Sequence, residues 1–238
     1  MIVSRETLLQ ECEKLKIKLS DEEINQLDEF ASLLLEWNKN INLTRITEPE
    51  EITVKHFVDS LTLLWAVDIK KGSRVIDIGT GAGFPSVPVK IVRKDIDITM
   101  MDSINKKLNF IREATDKLGL DANIIHARAE ELAQQKQYRE QFDYATARAV
   151  ANLRDLSEYC LPFVKVGGSF VALKGPLAQE EIDSAKIAIK KLGGKISQVK
   201  NITLSDKGER NIIIIEKISQ TPTQYPRSTA QIKKIPLC

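Results

Sequence analysis

The chain has 238 residues, 42% of them hydrophobic and 29% charged, with a formal net charge of +2, a length and balance ordinary for one soluble domain carrying an extension. No apolar run approaches membrane-spanning length and the first residues lack a secretory pattern, so a cytoplasmic protein without a membrane segment is expected. Cys12, Cys160 and Cys238 lie far apart and only two histidines accompany them, which excludes the usual zinc patterns and leads to no expected metal.

The first 70 residues read as helical. Ser20-Asp21-Glu22-Glu23 is a capping box, with Ser20 as N-cap and Glu23 at the third helical position. Ile24, Leu27, Phe30, Leu34 and Trp37 then recur at helical spacing, giving one apolar face until the helix ends near Asn38-Lys39-Asn40. A second helix is predicted from Pro49 through His56 to Leu64, ahead of a Lys71-Gly72 turn. His56 reads as a packing histidine with one satisfied hydrogen bond, and Asp59 as a local cap or pair. No Pro/Gly-rich linker intervenes. Residues 1–70 are therefore expected as an extension packed on a core of residues 71–218, followed by a basic tail of residues 219–238.

Residues 75–85, Val-Ile-Asp-Ile-Gly-Thr-Gly-Ala-Gly-Phe-Pro, are the most informative stretch. A β-branched run from Val75 to Ile78 predicts a buried strand. Gly79, Gly81 and Gly83 then permit a tight turn with a ligand close to the backbone. The spacing is not the Gly-x-Gly-x-x-Gly of dinucleotide enzymes, because Phe84 stands where the third glycine would fall. Asp77 at the strand end disfavours a pyrophosphate and suits a ligand with an ammonium and a sulfonium, such as S-adenosylmethionine. A helix over Pro85 to Arg93 and a strand from Ile96 to Met101 lead to Asp102, 23 residues after Gly79. An acid there can accept hydrogen bonds from both hydroxyls of a ribose, which supports a nucleoside ligand but leaves adenosyl and nicotinamide cofactors both open.

A helix from Asn105 to Leu118 and a third strand from Ala122 to His126 follow, and then Ala127-Arg128-Ala129-Glu130-Glu131, where a carboxylate or backbone group can read an adenine edge. A fourth strand, Phe142 to Thr146, enters Ala147-Arg148-Ala149 and places the Arg148 guanidinium where it can grip the cofactor's carboxylate or a substrate phosphate. A helix from Leu153 to Phe163, broken near Pro162, holds Cys160 as a buried structural thiol. A Gly167-Gly168 turn, a strand from Ser169 to Gly175 and a helix from Ala178 to Leu192 stopped by Gly193-Gly194 come next. Strands Lys195 to Leu204 and Asn211 to Lys217 then form a hairpin about Asp206-Lys207-Gly208. The pattern predicts an α/β fold with a seven-stranded Rossmann-like sheet whose last strand runs antiparallel.

Charge is uneven along the chain. Residues 165–238 hold 13 Lys/Arg against 6 Asp/Glu, net +7, so residues 1–164 carry −5. Arg227, Lys233 and Lys234 stand in an acid-free tail, and Lys174 ends the fifth strand on the ligand side. These four are candidate phosphate contacts, against the plainer reading of a solvated tail and helix face, which charge alone favours.

Several motifs now stand in one order: Trp37-Asn38 with Ile41-Asn42-Leu43-Thr44, His56-Phe57-Val58-Asp59-Ser60-Leu61, the glycine loop through Phe84-Pro85, and Asp102-Ser103 with Lys106-Lys107. Ala127-Arg128-Ala129-Glu130, Ala147-Arg148-Ala149-Val150-Ala151, Lys174-Gly175 and Tyr225-Pro226-Arg227 complete the set. In this the chain resembles the glucose-inhibited division protein B family of small-subunit ribosomal RNA methyltransferases. The resemblance implies an S-adenosylmethionine-dependent methyltransferase fold and methyl transfer to N7 of one guanosine in bacterial 16S rRNA. It implies cofactor contacts at Gly79, Phe84, Ala129, Glu130 and Arg148, to which the residues themselves add Gly81 and Asp102. The implied partner is 16S rRNA or a small-subunit precursor, met by a monomer. Ala230 and Ile232 depart from the family pattern, where glycine and proline are expected.

The chemistry agrees. Methyltransferases of exocyclic amines carry an Asp/Asn-Pro-Pro-aromatic turn where this chain has Ala147-Arg148-Ala149. Enzymes acting on pyrimidine carbon-5 need a cysteine nucleophile in a flexible loop, which Cys160 does not offer. Guanine N7 is an unprotonated lone pair that needs no general base, so positioning and desolvation would supply the acceleration. The residues alone leave N7 and a ribose hydroxyl both open, and a nicotinamide oxidoreductase or a non-catalytic RNA-binding protein remain the rival readings.

Overall fold

The computed structural model describes residues 2–148, 151–176 and 179–237. The expected Ala149, Val150, Ala178 and Cys238 lie outside the described residues. Seven strands form one sheet: β1 Arg74–Ile78, β2 Asp97–Asp102, β3 Asn123–His126, β4 Phe142–Arg148, β5 Val164–Lys174, β6 Gly194–Thr203 and β7 Glu209–Lys217. Their order is β3-β2-β1-β4-β5-β7-β6. The first five pair in parallel, whereas β7 runs antiparallel to both β5 and β6. The order reverses between β1 and β4, which opens a crevice at their carboxyl ends.

Side chains alternate across the sheet with a period of two. Val75, Ile212 and Ile214 join one apolar cluster, while Ile76, Ile213 and Ile215 join the other. The helices divide accordingly. On the first face lie α1 Arg5–Lys14, α2 Asp21–Asn38, α3 Pro49–Glu51, α4 Asp59–Ala66, α5 Ser86–Val92 and α6 Asn105–Lys117. On the second lie α7 Ala129–Leu132, α8 Leu153–Cys160 and α9 Gln179–Lys191, with α10 Thr229–Lys234 packed against α8. Residues of α1 and α2 therefore share one core with the sheet.

The Ser20 capping box forms with both of its hydrogen bonds, and Ile24, Leu27, Phe30 and Leu34 are buried as the helical spacing predicts. Phe30 carries this face to the centre of the molecule, with ring centroids 6.1 Å from Phe57, 5.4 Å from Phe84 and 5.7 Å from Phe110. The predicted second helix spans residues 49–66 but widens to π geometry over Ile52–Val58, a distortion that recurs at functional sites.

Three elements differ from the sequence expectation. Helix α1, not separately expected, is anchored by the buried Leu8 and Cys12, and burial pushes the Cys12 thiol up to about 12. Gly167-Gly168 is no turn but part of β5, which begins at Val164. There the β4–β5 register shifts between Phe142 and Tyr144, and a Cβ on Gly168 would lie 2.4 Å from the Asp143 carbonyl, so glycine permits the close backbone approach. The tail forms α10, capped reciprocally by Ser228 and Gln231.

The glycine loop gives a test of local packing. Gly83 has φ +85°, and a Cβ there would lie 2.6 Å from Cγ2 of the buried Val87, whereas Gly119 has φ +62° with open space around it. Gly83→Ala should therefore destabilise by about 2 kcal/mol more than Gly119→Ala, since only the first adds overpacking to backbone strain. Urea unfolding of the two variants checks this, and equal losses would mean that Val87 yields freely.

Candidate functional site

The glycine loop is held in place by the strand beside it. Gly79 and Thr80 N–H groups both donate to the Met101 carbonyl, at 2.9 and 3.0 Å. Gly81 N–H donates to Asp102 Oδ2 at 2.9 Å, and Ile104 N–H to Asp102 Oδ1 at 2.8 Å. Each carboxylate oxygen keeps lone-pair capacity, so Asp102 is aimed by the backbone and still able to accept from ligand hydroxyls. Gly79, with φ +72°, takes the left-handed turn that starts the loop.

Below the loop, Asp77 is fully buried. Its Oδ2 accepts from Ser86 Oγ at 2.8 Å, and the Thr80 hydroxyl lies close enough to favour its charged form. Burial raises the Asp77 carboxyl to about 7, opposed by the Ser86 and Thr80 hydroxyls and by Arg148.

A cavity of about 660 Å³ opens at the switch point of the sheet. Gly79, Gly81, Phe84, Asp102, Ala129, Glu130 and Arg148 all line it, as do His56, Tyr159, Thr229 and Lys233. Its size suits a nucleoside-bearing ligand. The seven candidate cofactor residues, at or just beyond the carboxyl ends of β1, β2, β3 and β4, thus share one cavity.

Its far wall is a buried polar cluster. Arg148 donates through Nη1 to the Lys55 carbonyl at 3.0 Å and to Asp59 Oδ2 at 2.8 Å, and through Nη2 to His56 Nδ1 at 3.3 Å. Its guanidinium sits 5.0 Å from the Phe84 ring centroid. The His56 ring stacks on Phe84 at 4.3 Å with an interplanar angle of 12°. His56 Nε2 lies 2.8 Å from Thr44 Oγ1. With Nδ1 accepting from Arg148, Nε2 carries the hydrogen and donates to Thr44. Burial, and next the Arg148 charge, lower the His56 pKa to about 3, so the imidazole is neutral. Both ring nitrogens are thereby committed, one bond more than the packing reading of His56 expected. Asp59 does not pair locally. It bridges Arg148 and Arg210, the latter donating from Nε to Asp59 Oδ1 at 2.7 Å and from Nη2 to Asp206 Oδ2 at 2.9 Å. Sequence reasoning missed Arg210 altogether, since it stands 151 residues from Asp59 with no motif around it.

The four candidate phosphate contacts are not equivalent. Lys174 Nζ is 2.7 Å from Glu181 Oε1 and donates to the Ala151 carbonyl at 2.9 Å. Arg227 makes a two-pronged pair with the buried Glu158, at 2.8 and 2.7 Å. Lys233 lines the cavity and Lys234 neighbours it on α10.

Residues 23–213 match the family model described as GidB: rRNA small subunit methyltransferase G. The chain belongs to the rRNA small subunit methyltransferase G family. Curated members include the ribosomal RNA small subunit methyltransferase G of Alkaliphilus metalliredigens, 48% identical over 95% of both chains. That of Clostridium novyi is 47% identical over 94% of this chain and 93% of its own. Among solved structures, TrmN from Thermus thermophilus has a TM-score of 0.53 at 20% identity, covering 68% of this chain and 48% of its own. A point mutant of MtNAS in complex with S-adenosylmethionine has a TM-score of 0.54 at 14% identity, over 82% of this chain and 73% of its own. At those identities the likeness is one of fold. Membership of the methyltransferase G family makes the chain an S-adenosylmethionine-dependent methyltransferase, which settles the choice that Asp102 left open against nicotinamide. Among the described residues no helix is long and apolar enough to cross a membrane.

The neutral His56 makes the site pH-sensitive in a stated direction. An unfolded histidine protonates near 6.5 while the folded one resists protonation down to about 3, so acidification favours the unfolded chain. His56 should cost stability as pH drops from about 6.5 toward 3, against Asp77, whose carboxyl, raised to about 7, takes up its proton first in the folded chain. The native protein should therefore lose stability relative to His56→Gln across this range. Urea unfolding of both proteins across this range measures the difference. Parallel profiles would mean that His56 titrates normally.

Proposed function

We propose that this chain transfers a methyl group from S-adenosylmethionine to N7 of a guanosine in small-subunit ribosomal RNA, acting as a cytoplasmic monomer on 16S rRNA or a small-subunit precursor. One observation carries the reading: the cavity unites the glycine loop and Asp102 with the Phe84–His56–Arg148 wall, and that wall offers no free base. The residues fit the cofactor. Asp102 is aimed to accept from ribose hydroxyls, Ala129 and Glu130 stand where a base edge would lie, and Gly79 and Gly81 leave room along the backbone. Thr80, which lines the cavity above the buried Asp77, adds acceptor capacity suited to an ammonium. When bound, the cofactor supplies an electrophilic methyl on a sulfonium.

The protein's part is then positioning and exclusion of water. Phe84 is 5% exposed, its ring covered by the stacked His56 and by the Arg148 guanidinium, so it braces the wall beside which an unstacked purine would enter. Arg148 is held by three acceptors and keeps its charge near the reacting atoms, where it can hold a carboxylate or a phosphate. His56 is uncharged and spends both nitrogens on Arg148 and Thr44, so it orients rather than abstracts a proton. A ribose hydroxyl would need a base to take its proton, and guanine N7 does not. That difference favours N7.

Of the four candidate cations, Lys233 and Lys234 are proposed to meet phosphates first, because Lys174 and Arg227 already satisfy Glu181 and Glu158. In the proposed division of labour, residues 1–70 brace the site, residues 71–218 bind the cofactor, and residues 219–238 face both.

Mass mapping of small-subunit rRNA nucleosides, incubated with and without the protein, tests the reading. One added 7-methylguanosine is expected, and ribose methylation or no methylation would overturn the acceptor assignment. RNA affinity should also fall steeply with salt, and neutralising Lys233 and Lys234 together should flatten the log–log slope by about 1.4, at about 0.7 per contact on single strands. An unchanged slope would move RNA docking away from α10.

A further inference from the structure

The tail is docked rather than solvated, and it reaches into the cavity. Arg139 gathers it through backbone carbonyls, donating to Tyr225 at 2.8 Å and to Thr221 at 2.8 Å. The Arg227–Glu158 pair, with Glu158 1% exposed, is a second anchor. Ile232, 1% exposed, is a third. Thus held, α10 presents Thr229 to the cavity. Thr229 Oγ1 donates to Glu130 Oε1 at 2.6 Å and accepts from the Tyr159 hydroxyl at 3.4 Å. All three side chains line the cavity.

Glu130 follows β3 in the first turn of α7, half-buried, where its carboxylate would otherwise sample several rotamers. The Thr229 bond fixes one oxygen and leaves Oε2 without a partner among the described residues, able to accept from a ligand donor. An adenine carries one such donor at this end of the ligand, its exocyclic amine.

We propose that α10 is a working part of the cofactor site and that Thr229 is a positioning residue, holding Glu130 to receive the amino group of the adenosyl base. This rests on the cofactor reading above. It extends the site to a segment outside the matched residues 23–213. The charged tail thereby serves the cofactor as well as the RNA.

The experiment is calorimetric titration of the purified protein with S-adenosylmethionine and S-adenosylhomocysteine, without RNA. Thr229→Val, which keeps side-chain volume, should weaken both ligands about five- to tenfold, the worth of one hydrogen bond, while Thr229→Ser restores affinity. Melting temperature should not change, because the anchors at Arg139, Arg227 and Ile232 remain. S-inosylhomocysteine, which lacks the amine, should bind native and Thr229→Val proteins alike. In a Glu130→Ala background Thr229→Val should cost nothing further. Equal binding of native and Thr229→Val proteins, or an additive loss in that background, overturns this inference and leaves the methyltransferase reading intact. A native protein that binds neither adenosyl ligand overturns both.

Discussion

The carboxylate of Asp59, held between two guanidinium groups, is the interaction on which the site depends. It lies 12% exposed, 2.8 Å from Arg148 and 2.7 Å from Arg210. Burying three charges costs solvation that mutual attraction repays only with good geometry and further hydrogen bonds. Here those bonds exist: Arg148 also reaches the Lys55 carbonyl and His56, and Arg210 also reaches Asp206. The cluster ties the helix of residues 49–66 to β4 and β7. It joins the amino-terminal helices to the sheet at the cavity wall, and it sets the direction of the Arg148 guanidinium. Removing Arg148 would leave Asp59 with Arg210 alone, and removing Asp59 would leave Arg148 without a carboxylate and Arg210 with Asp206 alone.

Against this charged wall the opposite side of the cavity is built from backbone. Asp102 links β2 to the glycine loop through Gly81 N–H, and the loop hangs on the Met101 carbonyl. A ligand entering there meets preset donors and acceptors that need not reorganise. Phe84 joins the halves. It belongs to the loop by sequence, stacks on His56, lies under Arg148 and packs on Phe30 of α2. The amino-terminal helices are thereby continuous with the site, and they are more than a cover over an apolar sheet face.

The carboxyl-terminal charge excess means something different in the fold than in the sequence. Counted along the chain it looks like a surface field. In space, Lys174, Arg227 and Lys217 are spent on Glu181, Glu158 and Glu140. Burial lowers the Lys217 pKa to about 8 even with Glu140 beside it, the mark of a lysine working as an internal strut. Net charge records none of this, because an ion pair between distant residues cancels only where the chain brings them together.

By itself the sequence determined most of the elements and a nucleoside-bearing ligand. Strand alternation, the glycine spacing, Asp102 at a strand tip and the Ser20 capping box are local, each decided within a few residues by backbone sterics and hydrogen-bond chemistry, and each is where it was expected. So are the seven strands of the sheet, and the structure brings Gly79, Gly81, Phe84, Asp102, Ala129, Glu130 and Arg148 to the lining of one cavity. Only the tertiary structure decided who pairs with whom. Gly167-Gly168 reads as a turn until β4 lies beside it and needs room for the Asp143 carbonyl. His56 and Asp59 read as local until Arg148 and Arg210 arrive from 92 and 151 residues away. The tail reads as solvated until Arg139 and Glu158 collect it. Such contacts leave no local signature, because their energy depends on the order of strands and the packing of helices, which bring together groups the chain itself keeps apart.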